Sequence, residues 1–222
     1  MNRRDELREH IIAAAVENIP RLFLEDFAKR AVNAYRDTYQ EVAHNPTLLP
    51  EQKLASLRQT RPFRMEWEMA QSAKACGIPC TTKPLADNDW RYAYAVSGVF
   101  GFTQSYVPVL GALPQPAKFR DALAEAARIP ELNLEDLSTE LFLPRQYYGL
   151  LAHNPLGHTF TEDHQKFGSL QLCVPFIDMK GWALEIGVWE LISRYPTATK
   201  KAVASTGPSW KTAVEKKEGD GS

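Results

Sequence analysis

Apolar residues recur every four positions through the first third of the chain. This spacing is typical of helices that turn one face toward a protein core. Pro20 separates the two clearest stripes, and Asn45-Pro46 ends the second, as expected where proline closes a helix. The stripes are Leu7, Ile11, Ala15 and Ile19, then Phe23, Phe27, Ala31, Tyr35 and Tyr39. Two helices are therefore predicted before residue 45.

A third helix is predicted from about Pro50 to Cys76, with Gly77 as its C-terminal cap. Pro62 falls inside this segment. Because proline cannot donate the interior hydrogen bond, we expect the helix to break or restart there.

From about residue 80 the pattern changes to strict alternation. Residues 90–107 predict a β-hairpin that turns at Ser97-Gly98, and residues 169–188 predict a second hairpin that turns at 178–181. A strand over 146–152, a short helix over 118–128 and a last helical turn over 189–195 complete the elements.

Helices followed by strands predict an α+β fold. An N-terminal layer of three to four helices packs on an antiparallel sheet built from hairpins. We expect one domain over residues 1–196, helical over 1–78 and mainly β over 79–196. Lysines, glycines and small residues dominate residues 197–222, which predicts a disordered tail whose lone Trp210 is a candidate docking anchor.

Composition narrows the function classes. The net charge of −1 argues against electrostatic attraction of the whole protein to nucleic acid or membrane. No apolar run approaches the roughly 20 residues of a membrane span, and no signal peptide is recognisable. Three cysteines, Cys76, Cys80 and Cys173, do not form a disulfide framework. A cytoplasmic protein is expected.

Several common catalytic motifs are absent from the sequence. It has no phosphate-binding glycine loop, no Gly-x-Ser-x-Gly and no His-Glu-x-x-His. These absences argue against a nucleotide-driven enzyme and a serine hydrolase of common type.

A basic run surrounds Pro62, with no acidic residue from 53 to 64. Its side chains are candidate contacts to a nucleic-acid backbone: Lys53, Arg58, Arg61 and Arg64. The alternative is a solvated helix surface, or arginines paired with Glu66 and Glu68.

Three of the five histidines lie within residues 153–164. Imidazoles and carboxylates are ligands for zinc or another divalent metal, and the candidates are His153, His158, His164 and Asp163. The alternatives are an ordinary polar loop and acid–base chemistry.

These features favour a non-catalytic binding or regulatory module without a cofactor. Its partner would be a protein or a nucleic acid, with no membrane involvement, and a homo-oligomer is a further option. The alternative is a metal-assisted hydrolase that uses the histidine-rich segment 153–164 with zinc or another divalent metal.

Overall fold

The computed structural model describes residues 3–85, 91–129 and 145–196. The helices among them are α1 (Arg3–Asn18), α2 (Arg21–Ala43), α3 (Pro50–Ala75), α4 (Lys118–Ala127), α5 (Glu162–Gln165) and α6 (Val188–Ser193). The strands are β1 (Cys80–Pro84), β2 (Arg91–Ser97), β3 (Phe100–Tyr106), β4 (Tyr147–Pro155), β5 (Phe167–Pro175) and β6 (Trp182–Gly187). The predicted α+β class is confirmed.

The six strands form one sheet in which spatial order follows chain order. Neighbouring strands are antiparallel except for β3 and β4, which run parallel over Phe100–Tyr106 and Tyr147–His153. The connection between these two strands contains α4, because a parallel pair requires a crossover. The sheet is thus mixed, a departure from the purely antiparallel arrangement that the hairpins predict.

Helices pack on both faces of the sheet. Alternate residues of a strand point to opposite faces, so β4 contributes to two apolar clusters, one on each face. Phe102 meets Phe23 of α2 on the side of the first three helices, with ring centroids 5.2 Å apart. Leu150 faces the smaller cluster on the side of α4, with Ala124.

Helix α3 runs unbroken through Pro62, so the predicted break there is wrong. Leu57, Arg61, Met65 and Met69 are buried on both sides of the proline. Burial of one continuous face compensates for the missing hydrogen bond, since tertiary packing overrides local propensity.

No described helix is long and apolar enough to cross a membrane. The predicted tail over 197–222 and its Trp210 lie outside the described residues.

Candidate functional site

The basic residues predicted to contact nucleic acid do not share one surface. Arg58 is exposed, whereas Arg61 is only 4% exposed and points inward. Lys53 is half-buried and donates from Nζ to a backbone carbonyl at the end of α2, 2.5 Å away. Arg64 pairs with Glu68, with 3.0 Å between Nε and Oε1. The structure therefore brings no continuous basic patch together from these four residues.

The predicted metal ligands are also separated by burial. His153 lies inside β4 and is fully buried, while His158 and His164 are exposed. His164 Nδ1 is 2.6 Å from the hydroxyl of Thr159. Asp163 pairs with a neighbouring lysine at 2.7 Å. Among the described residues, no three histidine, cysteine or acidic side chains are grouped to hold a metal ion.

A network of four polar side chains joins α2, β4, β3 and α3. The hydroxyl of Tyr35 is 2.6 Å from His153 Nδ1, and His153 Nε2 is 2.7 Å from Gln104 Oε1. Gln104 Nε2 donates to Glu66 Oε1 over 2.7 Å. We call these four residues the core polar network.

The direction of each hydrogen bond follows from Gln104. Its Nε2 also lies 3.4 Å from the carbonyl oxygen of Pro62, which can only accept, so the amide nitrogen faces α3 and Oε1 faces His153. His153 therefore carries its proton on Nε2 and accepts on Nδ1. Tyr35 must then donate its hydroxyl proton to His153.

Glu66 occupies a gap between two strands. β2 and β3 pair over Ala95–Ser97 and Phe100–Phe102, although both strands continue beyond that register. Where they part, Glu66 Oε2 accepts the backbone N–H of Ala93 over 2.6 Å. The carboxyl group thus satisfies a strand N–H that would otherwise lack a partner.

Burial shifts the pKa values of the network in opposite directions. It raises the pKa of Glu66 to about 7, against the lowering effects of the Ala93 N–H, Gln104 and the positive charge of Arg120. Burial, together with the charge of Arg61, lowers the pKa of His153 to about 3. Both shifts disfavour the charged form of a buried group.

The sequence interpretation did not single out Tyr35 or Gln104. Each carries a polar group at a position that its pattern assigns to the core: Tyr35 in the apolar stripe of α2, Gln104 after Phe100 and Phe102 on the inward face of β3. Buried polar groups need partners, so these two positions are the signal from which a core network could have been expected.

Arg61 stacks against this network. Its guanidinium carbon lies 4.0 Å from the ring centroid of Tyr35. Nη1 donates to Gln165 Oε1 over 2.9 Å and Nη2 to the Gln165 carbonyl over 3.3 Å. The Nε atom is buried and has no hydrogen-bond partner in the described part of the chain.

The outward side of α3 presents two large aromatic residues. Phe63 and Trp67, one helical turn apart, are 50% and 51% exposed. The guanidinium of Arg64 lies 5.1 Å from the Trp67 ring. We call Phe63 and Trp67 the aromatic face of α3.

No family model matches the chain, and no curated protein and no solved structure matches it either. Any functional assignment therefore rests on the geometry of the chain itself.

Proposed function

We propose that the chain is a non-catalytic binding module that engages a protein partner through the aromatic face of α3. The observation that carries this proposal is the paired exposure of Phe63 and Trp67 on adjacent turns. Tryptophan and arginine are enriched among the residues that dominate binding energy at protein interfaces. Here Arg64 lies over Trp67, which places both residue types at one point on the surface.

The charges of α3 indicate what kind of protein surface would fit. Glu66 turns inward to the sheet, and Glu68 is only 4% exposed. Lys74, seven residues after Trp67 and therefore on the same side of the helix, is exposed and basic, and the guanidinium of Arg64 lies over Trp67. A partner with an apolar pocket bordered by carboxylates would complement both the shape and the charge of this side.

A protein fits this surface better than a nucleic acid does. Phosphate-backbone binding depends on several free cations on one surface, but Arg61 is buried and Arg64 is paired with Glu68. Of the three arginines, Arg58 is the one that is exposed and also forms no ion pair with a described residue.

We do not propose the metal-assisted hydrolase. His153 has both ring nitrogens engaged inside the core, so it is not turned toward the exposed His158 and His164. The free thiols of Cys76, Cys80 and Cys173 fit a reducing compartment, which supports a cytoplasmic location as part of this proposal.

The test compares Trp67→Ala with a matched control, Trp189→Ala. Trp189 is also exposed, at 58%, but lies on α6. Proteins retained by the wild-type chain from its native cell extract are identified, purified and titrated against all three forms by calorimetry. We expect Trp67→Ala to weaken binding of the purified partner at least tenfold, which corresponds to about 1.4 kcal/mol. Trp189→Ala should leave the affinity unchanged.

Equal losses from both tryptophan variants, or none from either, would contradict the proposal. Titration with a labelled oligonucleotide over a salt series provides the competing outcome. A nucleic acid would be favoured instead if the oligonucleotide binds in a salt-dependent way and Arg58→Ala, but not Trp67→Ala, weakens this binding. If the wild-type chain forms a concentration-dependent dimer and Trp67→Ala remains monomeric, the partner is a second copy of this chain.

A further inference from the structure

Arg61 is a buried cation with incomplete hydrogen bonding. A guanidinium carries five N–H donors, and the contacts of Arg61 within the described chain are to one residue, Gln165, and to the face of the Tyr35 ring. Its Nε–H is buried without an acceptor there. Only 4% of the residue is exposed, so bulk solvent has little access to it.

The charge of Arg61 also lacks a counter-ion in the described residues. Burial lowers the pKa of Arg61, and the groups that oppose this effect are two phenols, Tyr35 and Tyr106, with no carboxylate among them. An arginine stays protonated in proteins nevertheless. A buried charge without an opposite charge is strongly unfavourable, so this position is suited to an anion.

The surroundings of Arg61 lie at a place where folds commonly bind ligands. Tyr106 and His153 are paired residues toward the carboxyl ends of the parallel strands β3 and β4, and their ring centroids are 6.5 Å apart. In open α/β sheets, ligands bind outside the carboxyl ends of parallel strands, and β3 and β4 are the parallel pair among the described strands. Tyr106 is partly exposed and connects this group to the surface.

A surface segment is tied to the same guanidinium. Gln165, which accepts from Arg61, donates from Nε2 to the carbonyl oxygens of Thr159 and Gly157 over 2.8 and 3.4 Å. The neighbouring residues Leu156, His158 and Thr159 are exposed. Gln165 thus links Arg61 to the backbone of the exposed segment 156–165.

We propose that Arg61 is the anchor of a binding site for an oxyanion, the carboxylate or phosphate group of a small molecule. The anion accepts from the Nε edge of Arg61 and neutralises its charge, close to the segment that Gln165 links to this guanidinium. Guanidinium groups bind such anions through charge-assisted hydrogen bonds of fixed geometry. The site is separate from the aromatic face of α3, so either proposal can fail without the other.

The test uses the full chain and two simple probes, sodium phosphate and sodium succinate, against sodium chloride at matched ionic strength. We expect one or both probes to raise the Tm saturably, by about 5 °C when the anion exceeds its Kd a hundredfold. Arg61→Met should remove this rise. Arg36→Met is the matched control, because the Arg36 side chain is 64% exposed on α2 beside Tyr35, and it should keep the rise.

A second measurement does not depend on the folding of Arg61→Met. In the wild-type chain labelled with ¹⁵N-arginine, the Nε–H resonance of Arg61, assigned through Arg61→Lys, should move saturably with the probe. Binding to Arg61→Lys should be at least tenfold weaker, since lysine lacks the fork of donors. An unmoved Arg61 resonance, or a Tm rise that chloride reproduces, would overturn the proposal.

Discussion

Tyr35 and His153 meet in the core with their rings nearly perpendicular, at an interplanar angle of 89° and a centroid distance of 5.6 Å. In the sequence, His153 belongs to a group of three histidines within residues 153–164, for which a metal site is one of several alternatives. In the structure, the Tyr35 hydroxyl and Gln104 engage its two nitrogens. Burial and the nearby charge of Arg61 lower the pKa of His153, so the ring is neutral. The residue type alone thus does not decide whether a histidine is available as a ligand.

Tyr35→Phe tests the hydrogen bond between these two residues. The change removes one hydroxyl and leaves His153 Nδ1 buried without a donor, so the free energy of unfolding should fall by about 1–3 kcal/mol. The control is Tyr39→Phe, one turn further along α2, where the side chain is only partly buried. Urea denaturation at pH 7 measures both, and an equal loss in the two variants would contradict a specific role for the Tyr35 hydroxyl.

Among the elements, those with a strong period were predictable and those that depend on distant pairing were not. Helices α1 and α2 and the two hairpins follow directly from their apolar spacing. Strand β1 was missed, because its sequence Cys-Thr-Thr-Lys-Pro has no apolar alternation and it is fixed by pairing with β2. The parallel pairing of β3 with β4 joins residues about 47 positions apart, beyond the reach of any local pattern.

The same limit applies to the candidate site. Tyr35, Glu66, Gln104 and His153 come from four separate elements, and their convergence depends on the order of strands in the sheet. The aromatic face of α3 was hidden for a different reason. Phe63 and Trp67 are four residues apart, a spacing that predicts the core-facing side of a helix. In the structure, α3 instead buries residues such as Met65 and Met69 and leaves the two aromatic residues exposed.

Pro62 provides a test of how packing holds α3 together. Pro62→Ala restores an interior N–H, so we expect the free energy of unfolding to rise by about 1–2 kcal/mol, part of the roughly 3 kcal/mol that an interior proline costs a helix. Pro50→Ala is the control in the same helix. Pro50 is the first residue of α3, where the missing N–H costs nothing, so little change is expected.

A loss of stability in Pro62→Ala, measured by urea denaturation, would contradict this account of α3. It would indicate that the local geometry imposed by Pro62 is needed to place its carbonyl against Gln104, 3.4 Å away.

At the scale of the whole molecule, the core polar network should influence how stability depends on pH. The pKa of Glu66 is raised from an ordinary 4.5 to about 7, so the folded chain holds this proton more tightly and stability falls as pH rises from 4.5 to 7. The pKa of His153 is lowered from 6.5 to about 3, so the unfolded chain binds this proton more tightly and stability rises as pH rises from 3 to 6.5.

Between pH 4.5 and 6.5 the two effects have opposite signs and cancel in the wild type. Glu66→Gln should remove the Glu66 effect and retain the His153 effect. The stability of this variant relative to wild type should therefore rise with pH, by up to about 1.4 kcal/mol per pH unit. His153→Gln should leave the Glu66 effect, so that relative stability falls with pH by a similar amount. Urea denaturation at pH 5.0, 5.5, 6.0 and 6.5 measures these slopes. Because each variant is compared with wild type, the contributions of the other carboxylates to the pH dependence cancel. Equal slopes of unfolding free energy against pH in all three proteins would show that Glu66 and His153 titrate normally in the folded chain.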